Sequence, residues 1–162
     1  MERVSIDALD PEPEGNLEVD RRPLSDTLGT TDMALNHYRL APGDCLVGGM
    51  HAHMDQEEVF YVLEGVVTFE TTDDPGAEPE SVRVEAGEVV SFGRGEYQQG
   101  RNADDYEAVV LAMGAPPNST SGREPRTCGA CGDSEYLDTA MIDGELKAQC
   151  LVCDTVHESG LH

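Results

Sequence analysis

The sequence predicts an all-β chain, and three observations carry that expectation. Apolar residues fall in short, partly alternating runs, and no long segment repeats with the 3.6-residue period of a helix. Glycine- and proline-bearing turns close those runs at short intervals, the pattern of a sandwich or a barrel. Four of the five cysteines sit in two CxxC pairs that bracket a hairpin-like segment.

Taken in order, residues 1–31 are polar and proline-dotted, with apolar touches at Val4, Ile6, Leu9, Leu17 and Val19. They read as an arm with one or two short strands. Residues 32–115 hold the main body. MALNHYRLAPGD is a strand ending at the Pro42-Gly43 turn, and CLVGGMHAH is the next. VFYVLEG and VVTFETT follow across Gly65, and the acidic DDPGAEPE makes a loop. SVRVEAGEVVSF supplies two short strands about Ala86-Gly87, GRGEYQQGRN is glycine-rich, and EAVVLAMGA is a last apolar strand. Within VFYVLEG, Phe60 and Val62 share a face with Glu58, while Val59, Tyr61 and Leu63 take the other. A strand apolar on both faces needs cover on both, from the arm or from a second subunit, so a homodimer is an expectation. Residues 116–126, PPNSTSGREPR, have the composition of a linker, and residues 127–162 form a separate small unit.

Charge bounds the partners. The chain carries 33 acidic against 10 basic residues, a formal net charge of −23, and Lys147 is its single lysine. Such a surface repels nucleic acid and anionic membranes. Its self-repulsion fades at molar salt, where the screening length falls to about 3 Å. The composition is that of a halophilic protein from a salt-loaded cytoplasm, such as that of an archaeon. No apolar run approaches the ~20 residues that span a bilayer, and the first residues lack the basic and apolar regions of a secretory signal. Asn118-Ser119-Thr120 reads as ordinary linker composition. The CxxC pairs suggest metal in a reducing compartment.

The chemistry gathers at HAHMDQEEVFYVLEG, residues 51–65. On an extended segment His51 and His53 point the same way, and carboxylates follow at Glu57 and Glu58. Two imidazoles and a carboxylate are the ingredients of a divalent-metal site. Residues 43–65 resemble the first motif of the cupin superfamily: a glycine, HxH, three or four residues, Glu, six residues, Gly. His51, His53, Glu58 and Gly65 fit in register, while Gly43 lies two residues early. Residues 87–102 resemble the second motif through Gly87, Gly95 and Asn102, with Gly93 in the place of proline and Gln98 in the place of the third histidine.

The resemblance, of a single-domain cupin-2-like kind, covers roughly residues 32–114. It implies a jelly-roll barrel, the cupin double-stranded β-helix, with a divalent metal held by His51, His53, Glu58 and Gln98. Gln98 would ligate directly, hold a water beside the metal, or do neither. Two histidines and a carboxylate suit iron, and manganese, nickel, cobalt or zinc also bind such a set. The function implied is a mononuclear metal-dependent enzyme of oxygenase or isomerase type acting on a small polar metabolite. The alternatives are a non-catalytic metal- or ligand-binding module whose C-terminal unit recruits a protein partner, and a dimerising scaffold. Tyr97 and Arg101 flank Gln98 and are candidate substrate contacts; the other reading of Arg101 is a surface arginine answering the surrounding acids. Cys45 shares strand parity with His51 and is a candidate lumen thiol. His37, His157 and His162 have no partner spacing.

Cys128, Cys131, Cys150 and Cys153 have the spacing of a four-cysteine zinc site, with a hairpin about Asp143-Gly144 between the pairs. This segment looks like a zinc ribbon. A four-thiolate site is closed, so its first role is structural, the metal standing in for a core that so short a segment cannot build. A rubredoxin-like iron site competes weakly, because Asp154 stands where a glycine would follow the second pair. Scarce basic residues argue against nucleic acid.

Overall fold

The computed structural model of the chain describes residues 1–12 and 17–161, so the reading of His162 lies outside the described residues. Thirteen strands account for nearly all its regular structure: β1 (Asp20–Pro23), β2 (Ala34–Leu40), β3 (Ala52–His53), β4 (Glu57–Glu64), β5 (Val66–Thr72), β6 (Glu80–Glu85), β7 (Val89–Phe92), β8 (Tyr97–Arg101), β9 (Ala108–Ala115), β10 (Gly122–Glu124), β11 (Leu137–Ile142), β12 (Glu145–Gln149) and β13 (Val156–Glu158). One sheet has the order β1-β2-β9-β4-β7, a second β6-β5-β8, and a third β13-β12-β11-β10-β3. The all-β expectation and the barrel hold.

The core lies between the first two sheets. Phe60, Phe69 and Phe92 meet with ring centroids 5.1–6.0 Å apart. Leu40, Val62, Val67 and Val110 pack around them, each 0% exposed. These are the inward residues of alternating strands, and β4 shifts register against β9 between Val62 and Glu64. Gly65, which closes the first motif, turns β4 into β5 at φ 72°. A Cβ there would meet the Glu107 carbonyl oxygen at 2.6 Å and Ala108 Cα at 2.9 Å, so both conformation and space demand glycine.

The arm does part of the covering expected of it. β1 pairs with β2, placing Arg22 opposite His37 on the outer face. Arg22 bonds Asp20 at 2.8 Å and donates to the Ile6 carbonyl at 2.9 Å, drawing the Ile6–Ala8 3₁₀ turn onto the sheet. The same face runs on through Leu111 and Tyr61 to Val89, which is 61% exposed.

The stretch with linker composition is part of the architecture. Its β10 pairs with β11 on one side and with β3 on the other. Asp55 accepts bonds from Ser119 Oγ at 2.7 Å and from the Thr120 amide at 2.8 Å, tying the approach to the barrel. The hairpin turns at Asp143-Gly144 with positive φ at both residues (54° and 86°), the geometry that favours this dipeptide.

Two outcomes follow. Gly65→Ala should cost about 1–3 kcal/mol through left-handed strain and the carbonyl clash, read as a lower urea midpoint with unchanged m. His37 is 3% exposed; burial, with Arg39 and Arg22 nearby, holds its pKa below the ordinary value. A histidine depressed in the fold binds fewer protons than it does unfolded. Its contribution is therefore complete above about pH 6.5 and is lost as pH falls from there through the folded value. Urea midpoints measured from about pH 7.5 down to about pH 5, a range that brackets the unfolded-state pKa, should decline more steeply in the wild type than in His37→Phe.

Candidate metal centre

β3 and β4 carry the first motif into one cavity. His51, His53 and Glu58 each present a ligand atom within 4.8 Å of the others. His53 Nε2 stands 3.5 Å from Glu58 Oε2, and the two imidazoles meet edge to face with centroids 4.9 Å apart. His51 Nδ1 lies 3.0 Å from the Gly49 carbonyl. A carbonyl only accepts, so Nδ1 carries the proton and Nε2 keeps its lone pair facing the cluster. Burial, reinforced by His51, brings the His53 pKa down to about 4, so this ring is also neutral at physiological pH, the form that ligates. His53 Nδ1 is buried without a hydrogen-bond partner among the described residues.

Gln98 reaches the same cluster from β8. Its amide nitrogen donates to Glu58 Oε2 at 2.9 Å and faces His51 Nε2 at 3.3 Å. In this arrangement Gln98 offers hydrogen atoms and not an oxygen, which makes it an orienting partner of the donor set. Two neutral imidazoles and a carboxylate converging in this way could bind a divalent metal.

Other candidates fall elsewhere. β8 alternates, so with Gln98 inward Tyr97 and Arg101 face the opposite way. Tyr97 is buried, with Arg123, Tyr136 and Asp138 in electrostatic reach, and Arg101 is exposed and 3.5 Å from Glu70. Neither lines the cavity. The parity argument for Cys45 fails at Gly48-Gly49. Cys45 opposes Arg101 and His51 opposes Gln98, so six residues on one strand match three on the other, and the alternation is lost. Cys45 lies away from the cavity, and burial pushes its thiol up.

The cavity measures about 680 Å³. Its walls are not all barrel. Thr139, Ala140, Met141 and Leu146 of the hairpin and Leu161 beyond β13 line it together with the histidines. Glu124, 3% exposed, secures this wall by accepting from Ser159 Oγ at 2.5 Å and from the Gly160 amide at 3.1 Å. Arg21, on β1, also lines the cavity. Sequence reasoning passed over it because it lies in the arm, outside both motifs; its signal was the alternation of Asp20, Arg21 and Arg22.

The four cysteines of the C-terminal unit form the second cluster, again with ligand atoms within 4.8 Å of one another. Cys128 and Cys153 Sγ are 3.7 Å apart, and Cys131 and Cys150 Sγ are 3.8 Å apart. The two knuckles repeat one geometry: the Gly132 amide donates to the Cys128 carbonyl and the Asp154 amide to the Cys150 carbonyl, both at 2.9 Å. Asp154 takes φ 58°, as Gly132 takes φ 75°, so the missing glycine does not change the knuckle. The amides of Cys131 and Ala130 bring the Cys128 thiol down to about 5. Cys131, although the Asp133 amide pulls it down, is pushed up to about 12 by burial and its neighbouring sulfurs. Four sulfurs this close could hold a metal ion, which would bind them as thiolates. His157 Nε2 sits 3.4 Å from Cys128 Sγ, a neighbour that no spacing announced.

Residues 36–114 match the family model described as "Cupin domain". The chain is similar to a sugar phosphate isomerase of the cupin superfamily from Silicibacter pomeroyi, at 17% identity over 97% of this chain and 92% of that one, with a TM-score of 0.60. It is similar to a predicted oxalate decarboxylase from Thermotoga maritima, at 21% identity over 70% and 98%, TM-score 0.58. A third, an oxalate oxidase in complex with glycolate, is 21% identical over 68% and 57%, TM-score 0.54. At these identities the likeness is one of fold. No curated protein matches the sequence. Among the described residues no helix is long and apolar enough to cross a membrane.

Among the described residues, the buried apolar side chains of the cysteine cluster are Cys128, Leu137, Ala148 and Cys150, with Cys131 packed against them, too few to hold a hairpin by burial. Removing metal with a chelator, or Cys150→Ser, should therefore raise amide exchange across β11 and β12 while β4 and β9 stay protected. Unchanged exchange in the hairpin after either treatment would mean that it is held without a cation.

Proposed function

We propose that this chain, which matches the cupin-domain family model over residues 36–114, is a mononuclear metal-dependent enzyme of the oxygenase or isomerase type acting on a small polar metabolite. The observation that carries the reading is the convergence of His51, His53 and Glu58 on the wall of a cavity large enough for such a molecule. These three side chains would hold the ion, with Gln98 fixing Glu58. A divalent ion there supplies Lewis acidity to a ligand oxygen or, if it is iron or manganese, redox chemistry. The protein's own contribution is to keep both imidazoles neutral, to aim the carboxylate and to exclude water with the Phe60 side of the barrel and the hairpin.

In this reading the four cysteines bind zinc, and the segment from residue 127 is a zinc ribbon that completes the pocket. The arm over 1–31, the barrel over 32–115 and the connector over 116–126 form one working unit with it. The acid-rich surface belongs to a halophilic, cytoplasmic setting, and the outer face at Tyr61 and Val89 belongs to a homodimer. A second reading has its own observation. Leu151 and Val152, on the second knuckle, are 58% and 60% exposed, the kind of surface through which a ribbon would dock a protein while the barrel only binds a metal or ligand.

Elemental analysis of protein purified in high salt without chelator separates the two. The enzyme reading expects about one zinc per chain in both the wild type and the His51→Ala/His53→Ala variant. It also expects a second metal in the wild type alone. Zinc alone in both proteins would leave the barrel empty and give the lead to the docking module.

A further inference from the structure

One part of the cavity wall belongs to no strand. β13 ends at Glu158, and the chain runs on through Ser159 and Gly160 to Leu161, which lines the cavity. The hairpin residues of the same wall sit on β11 and β12, which pair over five residues. Ladder bonds make such strands open together, whereas a short segment outside the ladders opens alone with less free energy.

A single carboxylate anchors this segment. Glu124, 3% exposed at the end of β10, accepts from Ser159 Oγ at 2.5 Å, and both of its oxygens lie 3.1 Å from the Gly160 amide nitrogen. Arg126 braces the anchor, 3.5 Å from Glu124 Oε2 and donating to the Glu158 carbonyl at 2.7 Å. Ser159 Oγ also accepts from the Leu161 amide at 3.2 Å, so the anchor sets the residue that reaches the cavity. The segment crosses the approach to the histidines. A Cβ on Gly49 would stand 3.0 Å from the Gly160 carbonyl oxygen and 3.4 Å from Leu161 Cδ2, and the Gly49 carbonyl is the one that meets His51 Nδ1.

Resting on the metal-site reading above for what is admitted, we propose that residues 159–161 are a strap that opens and closes the cavity, with Glu124 as its latch. Closed, Leu161 and Gly160 cover the side of the cavity next to Gly49 and keep water from the His51–His53–Glu58 cluster. Open, Ser159 and Gly160 leave Glu124, and the three residues swing away from Gly49. Hydrogen bonds to a carboxylate are among the stronger ones, so the loss of one raises the open population steeply. The strap contributes no side chain that ligates, so it sets the rates of entry and exit and not the affinity.

The test uses the full chain at constant molar KCl, with Mn(II) as the probe. Uptake gives kon, and release into excess Co(II), read as the signal of free Mn(II) in electron paramagnetic resonance, gives koff. Ser159→Ala should raise both rates by about tenfold and leave Kd unchanged, and Glu124→Gln should raise them at least as much. Ser159→Ala decides the matter should Glu124→Gln fail to fold. A kon that does not rise would overturn the inference, whatever becomes of Kd, while the manganese stoichiometry upheld the metal site. A wild type that takes up no Mn(II) would sink the metal-site reading instead. The strap is then decided without the ion, by the rate at which diethyl pyrocarbonate modifies His51 and His53, read by peptide mass. Modification about tenfold faster in the latch variants would uphold it, and equal rates would overturn it.

Discussion

The arrangement depends on hydrogen bonds to both edges of one very short strand. On one side, the His51 amide donates to the Gln98 carbonyl at 3.1 Å and the Gln98 amide returns a bond to His51 at 2.8 Å. On the other, β3 pairs with β10, and the Met54 amide donates to the Ser121 carbonyl at 2.7 Å. A strand bonded on both edges has little freedom to translate or twist. The imidazole of His53 and that of His51, the residue before the strand, are thereby set against Glu58, which is what preorganisation of a candidate site means in structural terms. The barrel supplies one half of that restraint and the C-terminal unit the other.

Surface charge plays a lesser part in cohesion. Arg83 meets Asp104 at 2.9 Å, Arg39 meets Asp7 at 3.1 Å and Lys147 meets Glu158 at 2.8 Å. All three pairs include an exposed partner, and such pairs contribute little to stability, less as salt rises. What holds the molecule is the phenylalanine-centred core, the ladder bonds and the closure of the cysteine cluster. The pairs disperse the few positive charges among many acids, so the remaining carboxylates stay hydrated at the surface.

Much of the fold was legible because it is written locally. Alternation marked β4, β5 and β9, Asp143-Gly144 marked the hairpin, and the HxH spacing put His51 and His53 on one face with Glu58 following on the next strand. The misses share a physical cause, which is that they depend on what lies across the chain. Cys45 was misplaced because a glycine pair absorbs three residues of slack and resets parity, which composition does not disclose. Tyr97 and Arg101 were proposed from adjacency to Gln98, when neighbours in a strand point apart. Arg21 and His157 reach their sites from segments without motifs. β10 was hidden in a proline- and serine-bearing stretch whose strand character comes from its partners, β3 and β11, and not from its own residues.

The position of β10 has a consequence for shorter chains. A barrel ending near Ala115 would leave the outer edge of the histidine strand with open amide and carbonyl groups, and an open edge is a template for another chain. Losing the C-terminal unit would thus do more than shorten the protein. It would uncover a sticky margin beside the site, so a chain without this C-terminal unit needs some other segment to occupy that edge.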